Sequence, residues 1–207
     1  MKHRVRHVDG QPQAVRLHRS RPHEVRLIGG QWKRSKLPVA DSPGLRPTPD
    51  RVRETLFNWL GQDLEGWRVL DAFAGSGALG FEAASRGAAD VLLLERDPAL
   101  VASLDASRTR LKAQTLRVLR ADAMAWMPAA PSAGFELVLL DPPFDAQLAA
   151  PAAAAAAHLL VPGGYLYVEA AAPLLELPAG LEPHRQSRAG AVCFQLLRRR
   201  YTPAVTP

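Results

Sequence analysis

Apolar residues come in short, nearly unbroken blocks through the middle of the chain: WRVLDAF (67–73), DVLLLER (90–96), TLRVLRAD (115–122), FELVLLDPPF (135–144) and GYLYVEA (164–170). Runs of this length, carrying β-branched residues and bounded by turn formers, predict strands buried on both faces, as in a parallel sheet. The stretches 77–87, 98–112, 123–127 and 145–160 between them predict helices. The last of these contains PAAAAAAHLL, and alanine has the best helix propensity of any residue. Strands alternating with helices specify a doubly wound α/β sheet, in which ligands bind beyond the C-terminal ends of the strands.

The flanking segments follow other patterns. EVRLIGGQWKRSKLPV (24–39) predicts two short strands joined around Gly29-Gly30, with Val25 and Leu27 on one face and Arg26 on the other. ADSPGLRPTPD is a linker, rich in Pro and turn formers. Thr48 is then placed as an N-cap, with Pro49 at the first helical position and Asp50 in the first turn. The helix that follows turns Val52, Leu56, Trp59 and Leu60 toward a core and leaves Arg51 and Arg53 off that face. HRQSRAGAVCFQLLRRR (184–200) predicts a hairpin that turns at Ala189-Gly190 and closes the sheet edge. Residues 1–23 alternate His, Arg and polar side chains without an apolar period and predict a flexible basic extension. The expected organisation is thus an extension (1–23), a basic hairpin with linker (24–48) and a main α/β domain (49–207).

Charge changes this picture in one place. Residues 1–53 hold 13 Lys/Arg against 4 Asp/Glu, and the rest 13 against 16, so the whole basic excess of the +6 chain lies in its first quarter. Such asymmetry points to a polyanion partner, to which clustered cations supply phosphate contacts. For residues 1–23 alone, a solvated tail that keeps the protein soluble is an equal reading. The N-terminus has no apolar signal segment and no apolar run is long enough to span a bilayer, so a cytoplasmic protein without membrane contact is expected. The one cysteine, Cys193, sits among apolar residues as a buried thiol, and no metal-ligand spacing is present.

The chemistry starts at GSGALG (75–80), a literal G-x-G-x-x-G between a strand and a helix. A dinucleotide pyrophosphate there would meet the carboxylate of Asp71 four residues upstream, which repels it. S-adenosylmethionine instead offers an ammonium and a sulfonium to that carboxylate, and its own carboxylate to the helix N-terminus. Glu95, ending the second strand, accepts ribose hydroxyls of either cofactor. Asp122, ending the third, offers a carboxylate for an adenine amino group with the Ala123 amide beside it, or is a helix N-cap. Asp141-Pro142-Pro143-Phe144 decides between the cofactors. Two prolines hold a carboxylate and carbonyls rigidly outward, as acceptors for an exocyclic amine whose lone pair is delocalised into a nucleobase, and Phe144 would stack on that base once it is splayed out.

LDAFAGSGALGFEAASRGA, LLLERD, ADA and LDPPF resemble the motifs of class I methyltransferases that act on nucleobase amines. With RLIGGQWKRSKLPV, RPTPDRVRETLFNWL and RAGAVCFQLLRR, the chain resembles the RsmD-type 16S rRNA (guanine-N2)-methyltransferase family over about residues 24–200. It departs from the family pattern in residues 1–23, at Arg188, and at Cys193 or Phe194. The resemblance implies a Rossmann-like sheet of seven mostly parallel strands, the last antiparallel, and S-adenosyl-L-methionine bound by Asp71, Phe73, Gly75, Ser76, Gly77, Glu95, Arg96, Asp122 and Ala123. It implies catalysis at Asp141, Pro142, Pro143 and Phe144, and RNA contacts at Arg26, Lys33, Arg34, Lys36, Arg46, Arg51 and Arg53. The implied partner is 16S rRNA in the assembled small subunit, with ribosomal proteins part of the substrate surface. Three other readings stay open: an adenine-N6 nucleic-acid methyltransferase, a dinucleotide oxidoreductase, which leaves DPPF unexplained, and a non-catalytic ribosome assembly factor.

Overall fold

The apolar blocks become the strands of one sheet in the computed structural model, which describes residues 24–39, 48–143 and 147–201. The extension at 1–23 and most of the linker expected before Thr48 lie outside the described residues. In chain order the elements are β1 (Glu24–Arg26), β2 (Lys36–Pro38), α1 (Asp50–Trp59), β3 (Arg68–Asp71), α2 (Ala78–Ser85), β4 (Asp90–Glu95) and α3 (Pro98–Leu111). There follow β5 (Leu116–Arg120), α4 (Ala123–Ala129), β6 (Phe135–Leu140), α5 (Ala149–Ala156), a 3-10 turn at Ala157–Leu159, β7 (Leu160–Ala170), β8 (Leu181–Ala189) and β9 (Val192–Arg199). No helix among the described residues is long and apolar enough to cross a membrane.

The seven strands lie in the order β5-β4-β3-β6-β7-β9-β8. The first five are parallel, β9 runs antiparallel to β7, and β8 pairs antiparallel with β9 at the edge. The closing hairpin, longer at its start than expected, turns at Gly190 with φ 63° and buries Cys193. The winding direction reverses between β3 and β6, and the crevice above their C-terminal ends is the ligand position of such sheets. One core layer packs Val69, Leu93, Leu137, Leu139 and Tyr167 beneath α1, α2 and α3, while the other packs Leu70, Val138, Leu140 and Val168 against α4 and α5.

The hairpin β1–β2 pairs Val25 with Leu37 and buries Leu27 and Leu37 in the first layer. Its reversal differs from the expected turn at Gly29-Gly30. Leu27 N–H still donates to the Ser35 carbonyl at 2.8 Å, and the chain reverses through residues 31–34, where Arg34 takes φ 71°. The two glycines serve a close approach instead: a Cβ on Gly30 would lie 1.7 Å from the Ser85 carbonyl oxygen at the end of α2. Gln31 N–H donates to that carbonyl at 2.8 Å, and Trp32 N–H donates to the Ser85 hydroxyl at 3.0 Å.

Candidate active site

Period-2 alternation carries one acid from each of β3, β6 and β7 to the same face of the sheet. Val69, Leu139 and Tyr167 point into the layer under α1 and α2, and two residues beyond each stand Asp71, Asp141 and Glu169. The register Leu140↔Val168 sets Asp141 level with Glu169, and Asp71↔Leu139 places Asp71 two residues lower on the other side of Asp141. Asp71 and Glu169 are buried and Asp141 half-buried. Burial disfavours their charged forms: the Asp71 carboxyl is pushed up to about 7, with Asp141 and Glu95 adding repulsion. Asp141 is raised by burial against the opposing pull of a hydrogen bond from Thr48. Glu169 is raised by burial first and by the Asp141 charge second. The buried Tyr167 hydroxyl donates to Glu169 Oε1 at 2.8 Å.

The glycine turn lies against this row. Gly75 and Gly77 take φ 51° and 80°, the left-handed region where a side chain is strained, and Gly77 is the N-cap of α2. Gly80 N–H donates to Asp71 Oδ2 at 2.9 Å, while Asp71 Oδ1 is buried with no partner among the described residues. Glu95 braces the turn, accepting from Gly75 N–H and Asp97 N–H at 2.9 Å each. Phe73 packs toward the α4–α5 layer, Ser76 is half-buried and Arg96 is exposed. Asp122, an exposed residue, caps α4 through Oδ1, accepting from Met124 N–H at 2.8 Å, and Oδ2 takes no part in the cap. The buried Ala123 opens that helix, so its N–H lies outside the helical ladder.

These groups fit S-adenosylmethionine. A buried carboxylate oxygen lacking a partner suits an ammonium, the left-handed glycines let backbone approach the cofactor, Glu95 ends β4, and Asp122 stands two residues past β5 at the start of α4.

Thr48 does not cap α1. Pro49 takes the N-cap place without a side-chain hydrogen bond, and the buried Thr48 hydroxyl donates to Asp141 Oδ2 at 2.9 Å. Arg53 is likewise displaced from its expected exposed role. It is 0% exposed and ion-paired to Glu82 at 3.7 Å, and it donates to the carbonyls of Arg26 and Thr48 at 2.9 and 3.3 Å, so it is a buried strut and not an RNA contact. Val52, Leu56 and Leu60 face the core as expected, but Arg53 and Phe57 join them and Trp59 is only half-buried.

Arg51 is exposed, as are Arg26, Lys33, Arg34 and Lys36, but these four hairpin cations do not form one patch. Arg26 pairs with Asp50 at 3.2 Å and Lys36 with Glu24 at 2.7 Å, near the start of α2, where Val25 and Val39 pack on Ala78. Lys33 and Arg34 follow Trp32 at the Ser85 end of that helix, roughly 12 Å away along its axis. Phe144 and Arg46 lie outside the described residues, and of the loop expected to be catalytic Pro142 is buried and Pro143 exposed.

Sequence reasoning missed Glu169 and Thr48 as members of the site. Glu169 carried the same signal as Asp71 and Glu95, an acid closing an apolar strand.

The family described as Conserved hypothetical protein 95 matches residues 25–198. Ribosomal RNA small subunit methyltransferase D of Escherichia coli K12 is 44% identical over 184 residues, covering 85% of this chain and 90% of that protein. The protein of the same name from Haemophilus influenzae is 42% identical over 151 residues, 70% of this chain and 78% of its own. Among solved structures, a putative methyltransferase from Escherichia coli superposes with TM-score 0.79 at 40% identity, covering 87% of this chain and all of that one.

Proposed function

The chain belongs to the Conserved hypothetical protein 95 family, the RsmD-type methyltransferases, and from that premise we propose that it methylates the N2 amine of a guanine in 16S ribosomal RNA. The observation that carries this reading is Asp141, held by Thr48 at the switch point of the sheet beside the glycine turn. S-adenosylmethionine, when bound, supplies an electrophilic methyl group. Asp71 receives its ammonium, Gly75 and Gly77 admit it, Glu95 meets the ribose, and Asp122 with the Ala123 amide meets the adenine. Phe73, Ser76 and Arg96 complete the rim around it.

At the reacting end, Asp141 and the Pro142 carbonyl accept hydrogen bonds from the target amine. Those bonds favour a pyramidal nitrogen with its lone pair aimed at the methyl group. The proton leaves the amine during or after attack, and no covalent enzyme intermediate is required. Small-subunit RNA is the substrate, assembled with ribosomal proteins that form part of the docking surface, and the enzyme works in the cytoplasm.

The test is transfer of labelled methyl to unmodified small subunits, to the stripped RNA and to duplex DNA. Label recovered as N2-methylguanosine supports the reading. Label in adenine of DNA favours the rival enzyme, and RNA binding without label favours an assembly factor.

Two further outcomes are expected. Asp71→Asn keeps an acceptor for Gly80 N–H but loses the charge, so cofactor affinity measured by calorimetry falls ~10- to 100-fold, the worth of a hydrogen bond to a charged group. For the unsubstituted protein, a cation binds the ionised carboxylate better, so affinity rises as pH increases through about 7, where Asp71 titrates. Unchanged affinity in the variant removes Asp71 from the ammonium site.

Arg26 and Arg51 flank the start of α1, next to the residue that holds Asp141. Replacing both with Gln reduces the slope of log K against log salt for RNA by ~0.7–0.9 per lost phosphate contact. The exposed pair of Arg26 with Asp50 is worth little and exchanges readily for phosphate. A slope equal to wild type refutes these contacts.

A further inference from the structure

The carboxyl row contains one more group than methyl transfer to an amine requires. The proposed reaction uses Asp71 for the cofactor and Asp141 for the substrate, yet Glu169 on the neighbouring strand is 5% exposed and has no role in it. A buried acid next to another acid is costly unless the pair is arranged to share a proton or a donor. The hydroxyl of Thr48 donates to Asp141 Oδ2 at 2.9 Å, and the same hydroxyl acts on Glu169, favouring that carboxyl's charged form. Glu169 is held from behind by the Tyr167 hydroxyl at 2.8 Å. Tyr167 is itself fixed in the core against Phe194, their ring centroids 6.4 Å apart.

We propose that Thr48 and Glu169 are positioning residues for Asp141: the threonine hydroxyl, acting on both carboxyls, fixes Asp141 in the orientation that receives the target amine. This rests on the methyltransferase reading above.

The hydrogen positions follow from the donor inventory. Tyr167 O–H points to Glu169 Oε1, and in the proposed arrangement a protonated Glu169 would turn its own O–H to the Thr48 oxygen. The Thr48 proton is thereby committed to Asp141. Every donor in the chain points toward Asp141, so the shared proton rests on Glu169 and the negative charge rests where the amine arrives. The charged and titratable groups facing this pair are Asp71 on β3, Glu95 beyond it on β4, and Tyr167 on β7. No cation is among the groups that shift Asp141 or Glu169. The hydroxyl is therefore the only group shifting Asp141 that favours its charged form.

The experiment compares wild type, Thr48→Val, Thr48→Ser, Glu169→Leu and Asp141→Ala in methyl transfer to unmodified small-subunit RNA, with cofactor affinity and melting temperature measured for each. Thr48→Val, close in shape to threonine, lowers kcat by ~10- to 100-fold, the effect of misplacing a reacting group by about an ångström. Its cofactor affinity stays within twofold of wild type. Thr48→Ser restores most of the rate, and Glu169→Leu behaves like Thr48→Val.

A second readout uses cofactor-free protein with ¹³C-labelled aspartate carboxyls. Loss of a donor that favours the ionised form moves the Asp141 titration midpoint upward in Thr48→Val, and the acid limb of the kcat profile moves with it. Wild-type kcat and an unmoved midpoint in Thr48→Val overturn the proposal. Failure of wild type to methylate any RNA overturns the functional reading instead, and the two failures are told apart by whether wild type transfers label above the Asp141→Ala background.

Discussion

Asp141→Ala lowers single-turnover methyl transfer to unmodified small subunits by ~10²–10⁴, the range contributed by a positioned proton-accepting group, while cofactor affinity stays close to wild type. The size follows from the chemistry of the substrate. A nucleobase amine has its lone pair spread into the ring, and an acceptor that stabilises charge developing at that nitrogen acts in the transition state more than in the ground state. Asp141 is placed for this by two independent restraints, the end of β6 and the hydroxyl of Thr48. Asp141→Asn retains an oxygen acceptor without the charge and falls between alanine and wild type.

The sign of the pH dependence follows from burial. Asp141 holds its proton to higher pH than an ordinary aspartate, and the acid form lacks the charge that stabilises the developing positive nitrogen and accepts more weakly from the amine. Activity therefore falls as pH drops below the raised midpoint, and Asp141→Asn loses that acid limb. An alanine variant within tenfold of wild type, with the same acid limb, removes Asp141 from the chemistry.

The sheet was legible in the sequence because the strands of a doubly wound fold are buried on both faces. WRVLDAF, DVLLLER and FELVLLDPPF announce themselves as apolar blocks, and the acids that close them fall at strand tips where ligands bind. Local pattern was a poorer guide wherever a residue answered to a partner distant in sequence. Gly29-Gly30 has the spelling of a hairpin turn, but the close approach of Ser85, 55 positions on, is what requires glycine there. Thr48-Pro49-Asp50 has the spelling of a helix start, yet its hydroxyl is taken by Asp141, 93 residues away. Arg53 falls off the apolar stripe of α1, and only the tertiary position of Glu82 draws it inside. In each case a local propensity was overridden by a long-range polar contact, which periodicity cannot register.

Glu82 is the residue whose loss should unfold the most. It is 0% exposed on α2, and its two oxygens accept from Ile28 N–H at 2.8 Å, Gly29 N–H at 2.7 Å and Arg86 Nε at 2.9 Å, with Arg53 Nη1 at 3.7 Å. Glu82→Ala leaves two buried guanidiniums without their shared counter-charge and two backbone donors without acceptors. Removing one partner of a buried pair costs ~3–5 kcal/mol, a large fraction of the stability of a domain of this kind. Glu82→Gln keeps one acceptor oxygen and loses less.

The consequence extends to the reaction. Arg53 Nε donates to the Thr48 carbonyl at 3.3 Å and Nη2 to Asp50 at 2.6 Å, so the carboxylate of Glu82 holds, through Arg53, the segment whose hydroxyl fixes Asp141. Urea unfolding should show a lower midpoint for Glu82→Ala at unchanged slope, and hydrogen exchange at Ile28 and Gly29 should quicken before the sheet opens. The activity of the fraction still folded should fall with them, while cofactor binding, which the proposal assigns to Asp71 and the glycine turn, persists. A Glu82→Ala protein within 1 kcal/mol of wild type would show that the hairpin is held by Leu27 and Leu37 alone, and that Arg53 finds water in place of its carboxylate.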